Sequence, residues 1–469
     1  MLNVVVACDE PFAGCSFRVR VPPVSTTDDV DTTRPTTPDA AYLRSMTDAT
    51  ARAVASAEPL GSAHGGVAED VRAAITAASA QAGTDLVALS RDLHAHPEEG
   101  FAEHRSVRAV AELLTAHGHR AQVGVGGLDT ALVATSGSAD GPHVAVLAEY
   151  DALPGIGHGC GHNVICAAGV GGFLGAASAI DVLGGRVSLI GTPAEEGGGG
   201  KEILARQGVF DDVDAVVMLH PFTHDLAMHP FLGRRQLEMV FHGVAAHASA
   251  QPFMGRNALD AAVAAYQGVA ALRQHIPPGD RVHGVFTDGG ARPNVVPDRA
   301  AVLFYLRSAE PETLRDLAAR LARIAEGAAE LTGCGVELRW DAQVPYLPIR
   351  HNATLAGRWA VNQEPCGRRP LAPGVVPDFI TGSTDLGNLS FRMPAIHPMI
   401  AVAEPTGALH TTDFAAAAGS PAGDKAVLDG ALGLALTAAD YLGDAELRTA
   451  VHAEFEAAGG PVDVPAYFD

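Results

Sequence analysis

Residues 144–163 read VAVLAEYDALPGIGHGCGHN, a short apolar run that gives way to a turn-rich segment and then to histidine, cysteine and glycine. Comparable β-branched runs stand at 187–190, 213–219 and 399–402, with helix-length segments between them. Strands that alternate with helices predict an α/β fold built on a mostly parallel sheet with helices on both faces. Upstream, Leu86, Leu89 and Leu93, then Val107, Val110, Leu113 and Leu114, are spaced three and four apart and predict two helices.

From about residue 234 to 341 the pattern changes. Residues 236–241 read as a strand, and Leu259, Val263, Tyr266, Val269 and Leu272 as one helix face. Two strands follow at 281–286 and 300–306. Leu314, Leu317, Leu321, Ile324, Ala328 and Leu331 step along a second helix, and Val336, Leu338 and Trp340 alternate at period two. The expectation is an α+β domain over 234–341, inserted into a larger domain made of 67–233 and 342–469.

The length of 469 residues supports this division, because single cores stop growing near ~250 to 300 residues. With 47% hydrophobic and 18% charged residues the chain can bury substantial cores. Lysine and arginine total 32 against 54 acidic residues, a net charge of -22, which repels nucleic-acid backbones and anionic lipid surfaces. Six cysteines (Cys8, Cys15, Cys160, Cys166, Cys334, Cys366) are too sparse for a disulfide framework and point to a reducing, cytoplasmic compartment. The apolar stretch 2–7 has no basic residue before it and Asp9 and Glu10 after it, unlike a secretory signal. Residues 1–66, rich in Pro, Thr, Asp and Ala, read as a disordered tail, with Met46 an expected translation start.

Ligands of open α/β sheets gather at the carboxyl ends of the strands. There the chain places Glu149-Tyr150-Asp151 and Cys160-Gly161-His162, then Glu195-Glu196, then His220, then His410. Cysteine, histidine and glutamate together form the donor mixture that borderline divalent metals prefer. Taken alone, Cys160-Gly161-His162 reads as a buried thiol beside a satisfied histidine, and His220 as a strand-end histidine bonded to backbone. It is their convergence on one rim that points to a metal centre.

The strings GHGCGHN (157–163), GTPAEEGGGGK (191–201), HAS (247–249) and GSTDLGN (382–388) resemble the peptidase M-twenty family of metallohydrolases, in particular its aminoacylase-like amidohydrolase branch. The resemblance runs in order over roughly 70–455. It implies two divalent metal ions per subunit, zinc or manganese first and cobalt or nickel also compatible, and a lid domain that forms a homodimer. Cys160 resembles the thiolate that touches both metals, with His162, Glu196, His220 and His410 completing the ligands; His397 is a rival to His410. Glu195 is similar to the general base, and Asp151 to the aspartate that orients a ligand histidine. Glu149 stands where peptidase members carry a histidine, and Asn163 where simple hippurate-type enzymes carry an aspartate.

His247 resembles a residue that polarises the substrate carbonyl; otherwise it is a surface-loop histidine. Asn294 and Arg307 resemble positions that contact a substrate carboxylate, which suits the bidentate fork of a guanidinium; an exposed strand arginine is the alternative. His94, His96 and Glu98 read as a structural network. The chemistry fits amide hydrolysis: a metal lowers the pKa of bound water from ~15.7 to ~7, and a pair of metals ~3.5 to 4 Å apart clamps the attacking and carbonyl oxygens. Glu195 then moves the proton while Glu196 binds metal. The expected activity is cleavage of the amide in an N-acyl or N-aminoacyl amino acid of the p-aminobenzoyl-glutamate or unusual-dipeptide type. Rivals are a simple N-acyl amino acid deacylase and a catalytically silent metal-binding homologue. The glycines before Lys201 lack the spacing of a phosphate loop.

Overall fold

The computed structural model describes residues 33–404 and 407–468. The run that follows Pro142 forms β3 of a six-stranded sheet. Its strands are β1 (Ala121–Val123), β2 (Leu132–Gly137), β3 (His143–Ala148), β4 (Arg186–Gly191), β5 (Ala215–Val217) and β11 (Ala395–Ile396). The order is β1-β2-β4-β3-β5-β11, parallel from β4 to β11 and antiparallel at the β1 and β2 edge. All six residues of β3 are buried, as expected of a strand covered on both faces.

One cover is the helix His162–Ala177, every residue of which is buried. A Cβ at Gly171 would stand 2.5 Å from Ala431 and one at Gly172 2.7 Å from Leu434, so glycine lets this helix lie directly against Pro421–Gly443. The latter is the one helix among the described residues long and apolar enough to cross a membrane, and 83% of its apolar window is buried in the protein. The helices Glu69–Ala95 and His104–Ala116 contribute Leu86, Leu89, Leu93, Val107, Val110 and Leu114 to the same core, as their spacing predicts.

Two sequence expectations need correction. The run 399–402 forms β12 (Met399–Ala401), which pairs with β6 (His220–Phe222) in a separate two-stranded sheet. Pro398 has no N–H for the ladder, so the main sheet ends at β11 and resumes as this smaller pair. The tail expected over 1–66 holds a helix, Ala41–Ser56, with Met46 inside it. Farther on, Leu60 N–H donates to Pro370 O (3.0 Å), Arg358 Nη1 donates to His64 O (2.6 Å) and Val67 N–H donates to Asp440 Oδ1 (2.8 Å). Backbone groups anchored on the buried Arg358–Asp440 pair order a segment too poor in apolar residues to do so by burial. Residues 1–32, with Cys8 and Cys15, lie outside the described residues.

A second sheet is wholly antiparallel: β7 (Gly233–His242), β8 (Arg281–Asp288), β9 (Arg299–Ser308) and β10 (Gly335–Trp340), in the order β10-β7-β9-β8. Helices Ala258–Leu272 and Pro311–Thr332 cover one face, and Leu237, Phe241, Phe304, Leu306, Leu317 and Leu321 form a core of their own. Leu331, expected on the buried stripe, is 78% exposed. At 100° per residue it has drifted roughly 100° from the line of Leu314.

Candidate active site

The parallel strands deliver their polar residues to a single rim. After β3, Asp151 is fully buried and accepts from His162 Nδ1 through both its carboxylate (3.0 Å) and its main-chain oxygen (2.9 Å). Its other carboxylate oxygen accepts from Glu196 N–H (3.0 Å), so one aspartate aligns two proposed metal ligands from different strands. Burial alone would raise the Asp151 pKa; the His162 ring holds it below the ordinary range.

Between them the loop turns at Gly161, φ 75°, where a Cβ would come within 2.8 Å of the Pro221 ring. That close approach sets Cys160 and His162 beside the strand carrying His220. His220 Nδ1 donates to Pro221 O (2.6 Å), which turns Nε2 toward the rim. Glu195 follows Ala194, a non-glycine residue at φ 58° that is pinned by Glu103 Oε1 on its N–H (2.8 Å) and by Gly198 and Gly199 on its carbonyl. His410 also sits at φ 61°, its N–H on Gly159 O (3.0 Å) and its Nε2 3.6 Å from Glu196 Oε2. Strain of this kind persists only where surrounding contacts impose it, and it concentrates at functional sites.

Donor atoms of Cys160, His162 and His220 lie within 4.8 Å of one another, and so do those of Cys160, Glu196 and His410. The five expected ligands thus form two overlapping groups that share the Cys160 sulfur. A divalent cation fits them. His162 Nε2 is buried without a hydrogen-bond partner, although its Nδ1 is committed to Asp151. Burial disfavours a charged His162, yet Asp151 and then Glu149 outweigh it and raise its pKa well above the ordinary value. A metal ion at Nε2 answers the same electrostatic demand. Burial, then Glu196, pushes the Cys160 thiol up, so a thiolate here needs a cation beside it. Burial, then Glu149 and Glu196, pushes the Glu195 carboxyl well above the carboxylate range, toward the pKa of an effective base.

Other expected residues fall elsewhere. Arg307 lines a cavity of about 240 Å³ together with Cys160, Glu195 and His410. His247 and Asn294 do not line it. They lie in adjoining exposed loops of the antiparallel unit, joined by the His247–Val295 bridge and by Ala248 N–H on Asn294 O (3.1 Å). His247 Nδ1 accepts from Ser249 N–H and Ala250 N–H, which leaves the proton on Nε2, free to donate. His397 is buried against His220 (5.5 Å between ring centroids) and Phe231 (4.8 Å) with neither ring nitrogen bonded, and it belongs to neither ligand group. Glu98 accepts from the N–H groups of Arg105 and Ser106 at the start of His104–Ala116, a structural task.

Sequence reasoning missed Lys201 and Asp385. Lys201 is completely buried; its ammonium bonds Glu149 and also Asp385 (2.5 Å), while its N–H donates to the second Asp385 oxygen (3.0 Å). Burial would lower Lys201, but Asp385 and Glu149 raise it, so it stays charged. Both residues lay inside the quoted strings, at the end of GGGGK and within GSTDLGN. A lysine after four glycines that meets no phosphate-loop spacing was a signal for an internal counter-ion.

A profile described as a peptidase dimerisation domain matches residues 233–332. The chain is 37% identical over 390 residues to the Xaa-Arg dipeptidase of Mus musculus, covering 80% of this chain and 90% of that protein. It is 38% identical over 277 residues to a p-aminobenzoyl-glutamate hydrolase of Escherichia coli, covering 54% of this chain and 57% of the relative. In fold it matches a dinuclear metal binding peptidase from Bacillus subtilis with a TM-score of 0.60 at 22% identity, over 77% of this chain and 98% of that one. With the strand-end site and the sequence identity in agreement, the chain belongs to the peptidase M-twenty family of peptidases and amidohydrolases.

Proposed function

We propose that the enzyme hydrolyses the amide bond of an N-acyl or N-aminoacyl amino acid with a free carboxylate, of the p-aminobenzoyl-glutamate or unusual-dipeptide type. The observation that carries this reading is the buried alignment by Asp151 of both His162 and Glu196, with Glu195 alongside. Cys160, His162, Glu196, His220 and His410 would hold two divalent ions, zinc or manganese first. Ions bound there acidify water and polarise the amide carbonyl. Glu195 takes the proton of the attacking water and delivers it to the departing amine nitrogen. Arg307 receives the substrate carboxylate.

The active form is a homodimer in this reading, and His247 with Asn294 serves the partner's cleft. Supporting it are the dimerisation-domain match, the exposed Phe253 and Met254 near His247, and the exposed Val285 and Phe286 on the edge strand β8. The decisive experiment screens metal-reconstituted enzyme against N-acyl amino acids, β-alanyl dipeptides and p-aminobenzoyl-glutamate, with bound metal per chain measured in parallel. Turnover by at least one class, lost on chelation and restored by metal, is the expected result. A fully metal-loaded protein inert toward all of them would overturn the proposal.

A further inference from the structure

The antiparallel unit turns two arginines toward the cleft, and the proposed reaction uses one of them. β7 and β9 pair with Arg234 directly opposite Arg307, so both side chains leave the same face of the sheet. Both line the cavity that holds Glu195. Like charges in directly opposed positions destabilise a sheet unless something between them compensates.

The local partners do not supply that compensation. Arg234 is 6% exposed, donates one hydrogen bond to Val344 O (3.1 Å) and lies over the ring of Tyr346 at 4.3 Å. Arg307 has a buried Nε without a hydrogen-bond partner. Among the described residues neither guanidinium makes an ion pair with a carboxylate, whereas the very next residue, Arg235, is held by Asp341 at 2.6 and 3.0 Å. Arg234 Nη1 lies 3.9 Å from where a Cβ at Gly197 would be, so its guanidinium hangs over the loop immediately after Glu196, where glycine leaves room. Burial, then Arg234, holds the Arg307 pKa below its ordinary value, as expected of two cations sharing an unfilled anion site.

One guanidinium fork satisfies both oxygens of one carboxylate. With Arg307 on the carboxylate that every N-acyl amino acid carries, Arg234 still lacks an acceptor. We infer that Arg234 binds a second carboxylate, so that the preferred substrates are amides of a dicarboxylic amino acid, aspartate-like or glutamate-like, over neutral or cationic ones. This rests on the amidohydrolase reading for its chemistry but on the paired arginines for its selectivity.

The test uses the metal-loaded full chain and three substrates with one acyl group, 4-aminobenzoyl-glutamate, -glutamine and -arginine. Removing a charge-assisted hydrogen bond typically changes kcat/KM by about 10- to 100-fold, so glutamate should exceed glutamine by that factor and arginine should be poorer still. Arg234→Gln should bring the glutamate-to-glutamine ratio close to one, and Arg234→Lys should keep part of it. Equal or better turnover of the glutamine or arginine amide by the wild type overturns the inference. So does a glutamine variant that slows all three substrates alike. If no amide is hydrolysed, calorimetry with free glutamate and glutamine separates the two claims: tighter glutamate binding that is lost in Arg234→Gln upholds the pocket while the hydrolase reading falls, and equal binding overturns the pocket.

Discussion

The two walls of the cleft come from sheets of opposite character. In the six-stranded sheet β3 is buried along its whole length, so that wall can offer chemistry only where its strands end. In the four-stranded sheet β10 alternates between exposed and half-buried residues, and β9 interleaves buried Phe304 and Leu306 with the less buried Tyr305 and Arg307. Its open face is itself a working surface. The first wall gathers acids, imidazoles and a thiol around one buried lysine; the second supplies cations. A charged amide substrate is gripped by one wall and cut by the other.

The most severe test of this division of labour separates the walls genetically. Glu195→Ala disables the cutting wall, and His247→Ala removes a donor carried by the other unit. If His247 serves the partner's cleft, a mixed dimer has one intact site and one doubly altered site. Random pairing after subunit exchange then restores activity from near zero to about a quarter of wild type, by the symmetry of a closed dimer. Activity assays on the mixture, with exchange verified by mass-tagged subunits, decide the matter. No recovery would place His247 in its own cleft.

The next effect tests how far the cutting wall depends on its internal cation. Lys201 is the buried partner of both Glu149 and Asp385. Lys201→Met preserves much of the side-chain volume but leaves two buried carboxylates facing each other, with the Asp385 carboxyl already pushed up to about 6 by burial and by Glu149. Breaking a buried ion pair from one side costs about 3 to 5 kcal/mol. Denaturant titration of the metal-loaded variant should show a loss of that order. A variant as stable as the wild type would show that the two acids find other partners.

The contrast between the walls also explains what the sequence made legible. Strand-end residues arrive as clusters, Cys160-Gly161-His162 and Glu195-Glu196, because a sheet covered on both faces confines polar groups to short segments between apolar runs. Arg234 and Tyr305 were invisible for the opposite reason. In a half-exposed strand every second residue is polar by default, so a functional arginine reads like a solvated one. Lys201 escaped notice because sequence carries no sign of burial for a residue whose counter-ions, Glu149 and Asp385, lie 52 and 184 residues away. The ordering of 57–66 was hidden in the same way, since it depends on Arg358 and Asp440 far along the chain. Periodicity located the helices but misjudged Leu331, where a small angular drift had accumulated over several turns.

The smallest effect separates the walls by pH. Buried histidines cluster in the larger unit, and His351 is the cleanest reporter because it lies apart from the expected ligands. Its Nε2 donates to His229 O (2.7 Å), its Nδ1 is buried without a partner, and burial pushes its pKa down to about 4. The unfolded chain binds a proton at this ring below about 6.5, while the folded chain does so only below about 4. Between those values the unfolded state holds more protons, so stability rises with pH there and is lost as pH falls through the window. His351→Gln keeps a donor for His229 O but cannot titrate. Its stability should therefore fall less steeply between pH 6.5 and 4, by up to about 1.4 kcal/mol per pH unit relative to wild type. Denaturant titrations of both proteins at equal metal loading read the difference directly, because terms common to the two cancel. Parallel curves would mean that His351 is protonated in the folded protein, with water or a shifted His229 carbonyl satisfying the second nitrogen.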